Sequence, residues 1–385
     1  MLFELDEDQR ALRDSLERLL ADQYDMARRA TYAAEPGGFS RKMWARYAEL
    51  GLLGLLIAPE HGGSDLGPGA AAMVMETLGH ALILEPWLAT AVLGAVAITQ
   101  AGNAAQRQAL LPRIAAGELT LAWAHEERAA DGVARVATSA SRDDAGWLLA
   151  GAKHCVVHAP GVDRLLVSAR LADGGTDGGD PRLGLFLVDP QAPGLTRTDF
   201  PTQDGLRAAH VEFSQVRVNA ADALLGADGA TVIETVLDHG IAILCAEAVG
   251  VMQEMLDRTV DYLKTRQQFG VAIGSFQVLQ HRAVDMLVAL DAARSMALYA
   301  TAMLAESDPL ERHRAMAAAK VQIGRSARYV GQQTVQLHGG MGMSLETKAA
   351  QCFLRSSVIE QSFGSAASHL RTLARLGGLD HEARA

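Results

Sequence analysis

The chain is short of three things, and each shortage removes a class of function. Cysteine occurs only as Cys155, Cys245 and Cys352, an odd number spread far apart, with no CxxC or Cys/His ligand spacing. That argues against a disulfide framework and a structural zinc site, so no metal is expected, and it fits a reducing cytoplasm. Positive charge is in deficit, with 35 Lys and Arg against 45 Asp and Glu and a formal net charge of −10. No basic field is left for nucleic acid or an anionic membrane surface. Long apolar runs are missing as well: the richest stretch, around Leu50 to Pro59, is broken by Gly51, Gly54 and Pro59, so no membrane span is expected. The opening MLFELDEDQRALRDSLERLL is acidic and amphipathic, where a secretory leader would place positive charge before a short apolar run. What remains is 385 residues at 49% hydrophobic and 21% charged, an ordinary globular composition with room for two or three domains.

Helical periodicity runs nearly throughout residues 1–117. Leu2, Leu5, Gln9, Leu12, Leu16, Leu19 and Leu20 line one face of a first helix, and Met43, Trp44, Tyr47 and Leu50 mark a second. IAPEHGGSD, from Ile57, reads as a loop, with helices resuming over Ala70–Gly79 and Pro86–Ala101. Between about 118 and 225 the texture changes to short β-like runs: Leu119–Ala124, Val133–Ser141, Gly146–Val157, Arg164–Ala169, Leu183–Asp189 and Ala209–Val218. That spacing suggests a barrel or a sandwich. The segment Ala172–Pro181, ADGGTDGGDP, is too poor in side chains to pack and reads as a mobile hairpin tip or surface loop. Beyond about 230 the helical period returns, with Ile233, Val236, Leu237, Ile241, Leu244, Ala248, Val251 and Met255 as one buried stripe and at least four long helices. Met252, Met255, Met286, Met296, Met303 and Met316 read as core filling. The expected class is α+β, with a helical domain over 1–117, a β domain over 118–225 and a second helical domain over 226–385.

Two stretches carry chemistry. In Arg266-Gln267-Gln268-Phe269-Gly270 through Phe276-Gln277 a helix breaks at glycines and resumes, setting a guanidinium, aromatic rings and amides around a tight corner. Such a corner suits a phosphate and an adenine, since Arg offers a planar fork of donors and Phe a stacking face; alone, it reads more simply as a polar helix-helix corner. In Gln336-Leu337-His338-Gly339-Gly340-Met341-Gly342 three glycines let backbone N–H groups approach an anion, or simply end a helix. His338 beside them reads as a packing histidine.

Together, and in this helix-strand-helix order, the two stretches resemble the acyl-CoA dehydrogenase family. Leu50-Gly-Leu-Leu-Gly54 with Pro59-Glu-His-Gly-Gly63, Gly151-Ala-Lys153, Val216-Arg-Val-Asn219 and Leu224-Leu-Gly226 extend the likeness along the chain. The resemblance implies an N-terminal helical domain, a middle β-barrel and a C-terminal four-helix bundle. It implies FAD, with Arg266, Gln268, Phe269 and Gln277 holding the ADP part of a flavin lying mainly in a neighbouring subunit. Gln336, Gly339 and Gly340 would contact the same ADP part from the other protomer, in a homotetramer or heterotetramer. The implied reaction is dehydrogenation of an acyl-CoA to the trans-2-enoyl-CoA, in catabolism of fatty or other carboxylic acids. An electron-transfer flavoprotein is the implied acceptor.

The base that removes the α-proton is the point of departure. One family seat falls at Phe363, in Ser362-Phe363-Gly364-Ser365, and the other at Gly240-Ile241. Three carboxylates stand near enough to replace it. Glu360 lies a helical turn from Phe363, in a pattern similar to the small subunit of pimeloyl-CoA-type heteromeric dehydrogenases. Glu247 lies two turns beyond Gly240, and Glu126 sits in Ala124-His125-Glu126-Glu127-Arg128, which replaces the family's flavin loop. Cys155-Val156-Val157-His158 likewise replaces a flavin-contacting strand, without its hydroxyl. Three functions stay open: an acyl-CoA dehydrogenase with an unusual base, a non-catalytic or half-site partner subunit of a heteromeric one, and a flavin-dependent oxidase or monooxygenase on the same fold.

Overall fold

The computed structural model describes residues 5–128, 136–144, 146–172 and 182–377. Leu2, the start of the strand expected from Val133, and all of the glycine-rich segment except Ala172 lie outside the described residues. Contacts divide the chain into two units that cross its sequence blocks: Arg29–Gly67 with Leu84–Gly240, and Met1–Arg28 with Pro68–Ile83 and Ile241–Ala385.

The helices of the first part are α1 (Glu7–Gln23), α2 (Met26–Ala33), α3 (Arg41–Glu49), α4 (Gly67–Ala81), α5 (Ala95–Ala101) and α6 (Ala104–Ala115). The segment expected as one helix from Pro86 begins instead as a π-helical stretch, Leu88–Gly94, that runs into α5. Capping boxes start α1 (Asp6 with Gln9) and α6 (Asn103 with Gln106), satisfying N–H groups that a helix start leaves open.

In the Leu84–Gly240 unit the strands are β1 (Leu121–Ala124), β2 (Ser139–Asp143), β3 (Gly146–Val157), β4 (Arg164–Leu171), β5 (Leu183–Val188), β6 (Leu195–Pro201), β7 (Arg207–Val218) and β8 (Ala223–Leu224). They form one sheet in the order β6-β7-β3-β2-β4-β5-β8, with β1 parallel to β4. The sheet curls on itself: Trp147 of β3 meets Phe186 of β5 at 5.5 Å between ring centroids, although two strands separate them along the ladder. A single apolar cluster, including Ala122, Leu149, Val167, Phe186, Val211 and Phe213, fills the interior. The strand β6 went unread in the sequence because its burial alternates only between half-buried and exposed.

The other unit holds α1, α4, most of α7 (Gly229–Thr265), α8 (Gln277–Met303), α9 (Pro309–His338), α10 (Lys348–Gln361) and α11 (Ala366–Arg375). The stripe expected on α7 is buried as read, but Ile241–Met252 is buried on every side. By length and composition α7 is long and apolar enough to cross a membrane; 89% of its most apolar window lies inside the protein, as in a core helix. Two glycines let α4 and α7 touch backbone to backbone. A Cβ at Gly79 would stand 2.5 Å from the Glu247 carbonyl oxygen, and one at Gly250 would stand 1.9 Å from that of Glu76. Met252, Met255, Met286 and Met316 are buried as expected, while Met296 and Met303 are only half-buried.

Candidate functional site

The corner forms where α7 stops. β9 (Gln267–Gln268) and β10 (Val271–Ala272) pair antiparallel around Phe269-Gly270. Both turn residues have positive φ, 54° and 80°, as a tight two-residue hairpin requires. Glycine adopts this freely, whereas a phenylalanine does so under strain. The result is a ring thrown outward, 90% exposed and touching Phe276 edge-on at 6.1 Å. Arg266, Gln268 and Gln277 are exposed beside it, and Arg266 makes no ion pair among the described residues.

The glycine turn follows α9. Gly339 has φ 58° and donates its own N–H to the Gln336 carbonyl, and a Cβ at Gly339 or Gly340 would meet nothing within 4 Å, so the turn's backbone is open on that side. Gly342 is different: its Cβ would come 2.5 Å from the Val335 carbonyl oxygen, which makes it a packing glycine. Gln336 is exposed on the last turn of the helix. His338 is buried, donates from Nδ1 to the Thr334 carbonyl at 2.8 Å and stacks on Tyr262 at 4.6 Å. Burial lowers its pKa. Tyr262 accepts the Arg266 N–H at its own carbonyl, so this packing histidine ties the corner to the glycine turn within one chain.

At the first base seat Phe363 takes φ 55° and Gly364 φ 95°. The Phe363 carbonyl accepts from His369 Nε2 at 2.9 Å; burial lowers the His369 pKa to about 4, against the raising effect of that bond. Glu360 is 6% exposed and fully engaged. One oxygen accepts from Arg328 at 3.3 Å and from the Ala366 N–H at 3.2 Å, the other from the Gln361 amide. Glu247, 4% exposed, is held two-pronged by Arg355, Nε at 2.5 Å and Nη2 at 2.8 Å. Gly240 is buried in α7 and offers no side chain.

The loop that leaves β1 is built on a buried lysine. Lys153, 0% exposed on β3, donates to the His125 carbonyl at 3.0 Å, Ser168 Oγ at 3.0 Å and Glu127 Oε1 at 2.6 Å. Burial lowers its pKa to about 8, opposed by the Glu127 ion pair. Burial also raises the Glu127 carboxyl, but Lys153 and the Thr138 and Ala137 N–H groups outweigh it and leave it low. The pair is ionised at neutral pH. His125 meets Ser168 Oγ at 2.9 Å and stacks on Trp123 at 5.5 Å. The Trp123 indole N–H is buried without an acceptor among the described residues. A bulge in β3 after Lys153 puts Cys155 at φ 50°, next to His154 and His210, whose Nδ1 atoms lie 3.0 Å apart. In sequence Gly151-Ala-Lys153 marked only a strand, and Glu127 and the histidine pair carried no signal, because their partners are distant along the chain.

FAD fits what is present. The open backbone at Gly339 and Gly340, the Arg266 fork, which makes no ion pair among the described residues, and the exposed Phe269 ring suit an ADP group. Within the sheet unit, the orphaned Trp123 donor is a further candidate contact. Among the described residues no group of three or more His, Cys, Asp or Glu could hold a metal.

Models of the acyl-CoA dehydrogenase N-terminal, middle and C-terminal domains match residues 6–118, 121–219 and 227–377. The chain is similar to acyl-CoA dehydrogenase FadE12 of Mycobacterium tuberculosis strain H37Rv, 31% identical over 356 residues and 88% of each chain. It is similar to a solved variant of the Tcur3481-Tcur3483 steroid ACAD, with TM-score 0.86, 30% identity and coverage of 96% of this chain and 97% of that one. It shares the fold of the ChsE4-ChsE5 complex from Mycobacterium tuberculosis, with TM-score 0.85, 24% identity and coverage of 97% and 98%. This chain therefore belongs to the acyl-CoA dehydrogenase family.

Proposed function

We propose that the chain binds FAD and takes part in α,β-dehydrogenation of an acyl-CoA thioester to the trans-2-enoyl-CoA, in an oligomer of like or homologous subunits. The outward-facing corner supports this most: Phe269 is held 90% exposed in a strained turn, and only a ligand or a neighbour gives that arrangement a use. When bound, FAD supplies the acceptor for the β-hydrogen, which leaves as hydride. The chain's own residues do the holding. Arg266 presents its fork to phosphate, Phe269 stacks, Gln268, Gln277 and Gln336 offer amides, and the open backbone at Gly339 and Gly340 lets the anion come close. Electrons would leave to an electron-transfer flavoprotein in the cytoplasm. For either Glu360 or Glu247 to act as base, it would first have to release its ion-pair partner.

A second reading, that the chain is the supporting subunit of a heteromer, is favoured by Phe363 in the base seat and by solved relatives named as two-component assemblies. The test is the visible spectrum of the chain purified alone. It is followed by anaerobic titration with linear, branched, dicarboxylic and polycyclic acyl-CoAs. A yellow protein bleached by one thioester supports the first reading. A protein bleached only after a homologous subunit is added supports the second. Failure to take up FAD alone or with a homologue overturns both.

A further inference from the structure

The corner and the glycine turn are each closed on a different helix. The Tyr262 carbonyl accepts the Arg266 N–H at 2.8 Å, and the Arg266 carbonyl accepts the Ile273 N–H at 2.8 Å, so the hairpin of β9 and β10 is bound to the last turn of α7. The chain returns along the same helix, where a Cβ at Gly274 would stand 2.8 Å from the Leu263 carbonyl oxygen. The Gln280 side-chain amide then donates to the Gly274 carbonyl at 2.8 Å and fixes the entry to α8. The glycine turn is closed on α9, by the Gly339 N–H on the Gln336 carbonyl and by the close approach of Gly342 to Val335.

No hydrogen bond or ion pair joins residues 266–277 to residues 336–342 among the described residues. The join is one ring contact. Tyr262 stacks on His338, the residue before Gly339, with centroids 4.6 Å apart and planes 25° apart. His338 is 8% exposed, and its Nδ1 bond to the Thr334 carbonyl at 2.8 Å sets the plane of the ring. A second tie, from Arg282 Nη1 to the Gln333 side-chain oxygen at 3.2 Å, joins α8 to α9 more than a turn before His338. The last turn of α9 is left to the stack. A ligand held by both pieces gains affinity when their spacing is set beforehand, because any freedom between them is lost on binding.

We propose that Tyr262 and His338 are positioning residues for FAD. Their stack holds the glycine turn against the corner, so that Arg266 and Phe269 on one side and the open backbone at Gly339 and Gly340 on the other meet one ADP group together. The inference rests on the proposed function. His338 acts through the turn it precedes, and Tyr262 through the helix end that carries Arg266. The role belongs to the stacked rings, which makes it separable from the Thr334 bond by substitution.

The test is FAD affinity, by fluorescence titration of the FAD-free chain, with melting temperature taken alongside and a homologous subunit added to every sample if wild type needs one. His338→Asn keeps a donor for the Thr334 carbonyl and loses the ring; it should weaken FAD binding about threefold to tenfold, the worth of one aromatic pair. His338→Phe keeps a ring and loses the donor, and should bind FAD as wild type does. Tyr262→Leu should match His338→Asn, and Tyr262→Phe should match wild type. The double variant Tyr262→Leu with His338→Asn should bind no more weakly than either single one, because the two residues act as one contact. A merely structural role gives lower melting temperatures with FAD affinity unchanged. That result, or losses that add in the double variant, overturns the inference and leaves the function standing. A His338→Phe protein as weak as His338→Asn assigns the role to the Thr334 bond and overturns it too. Tyr262 is only half-buried, so its two variants decide the matter if those at His338 fail to fold. A wild type that takes up no FAD, alone or with a homologue, overturns the function and the inference with it.

Discussion

The corner around Arg266 and the cluster around Lys153 are both dense in polar groups, and they differ in how far those groups are satisfied. Lys153 uses all three of its N–H donors on protein, and Glu127 takes further bonds from Thr138 and Ala137. At the corner the guanidinium is exposed and unpaired among the described residues, and Phe269 is held bare at φ 54°. A buried polar cluster with every donor used is architecture, because leaving any member unmet costs its full desolvation. A strained and unsatisfied cluster at the surface persists only where something else repays the strain.

The sharpest way to break the comparison is Lys153→Met, which strands the buried Glu127 charge and should destabilise the protein by about 3–5 kcal/mol in urea unfolding. A loss below about 1 kcal/mol would mean that the cluster is not architecture. Glu247→Gln, which removes the two-pronged grip of Arg355, should lower stability by about 2 kcal/mol. Arg266→Ala should do the opposite, leaving the melting temperature of the FAD-free protein in place while weakening FAD binding about 10–100-fold in a fluorescence titration.

Smaller near neutrality is the effect of pH. Glu254 accepts from His80 at 2.9 Å, Arg258 at 2.7 Å and Lys348 at 2.9 Å. Burial pushes its pKa up, yet these partners hold it at about 2, below its ordinary 4.5. The stability it contributes is present above pH 4.5 and is lost as pH falls toward 2. His369, lowered from 6.5 to about 4, acts in the same direction and begins earlier, between pH 6.5 and 4. Melting temperature should therefore fall steadily below pH 6.5, and Glu254→Gln should flatten the part below 4.5. Least of all should be Gly340→Ala, whose new methyl meets nothing within 4 Å. Its stability should stay within about 0.5 kcal/mol of wild type, so any loss of FAD affinity reports on the cradle alone.

Much of this was legible in the sequence where the signal is local. The helix-strand-helix order, the Phe269-Gly270 break and the glycine turn after His338 all depend on neighbours within a few residues. What escaped depends on distant partners. The Arg355–Glu247 and Arg328–Glu360 pairs join residues 108 and 32 positions apart, so the sequence put Glu360 first and Glu247 next with no sign that either carboxylate is held in an ion pair. The strand β6 was missed because neither of its faces is fully buried. On α7 a one-sided stripe was read because alanines and glycines between the large residues gave no sign that Ile241–Met252 is enclosed all round.

The central claim is that the bare corner is a ligand surface and not a packing accident. Its most direct test is an FAD titration of wild type and Phe269→Ala, with the melting temperature of each FAD-free protein taken alongside. FAD affinity should fall about tenfold or more while the FAD-free melting temperature holds, because the ring is 90% exposed and meets only Phe276 edge-on among the described residues. Equal affinity for the two proteins, or a melting temperature that falls without any change in affinity, would contradict it.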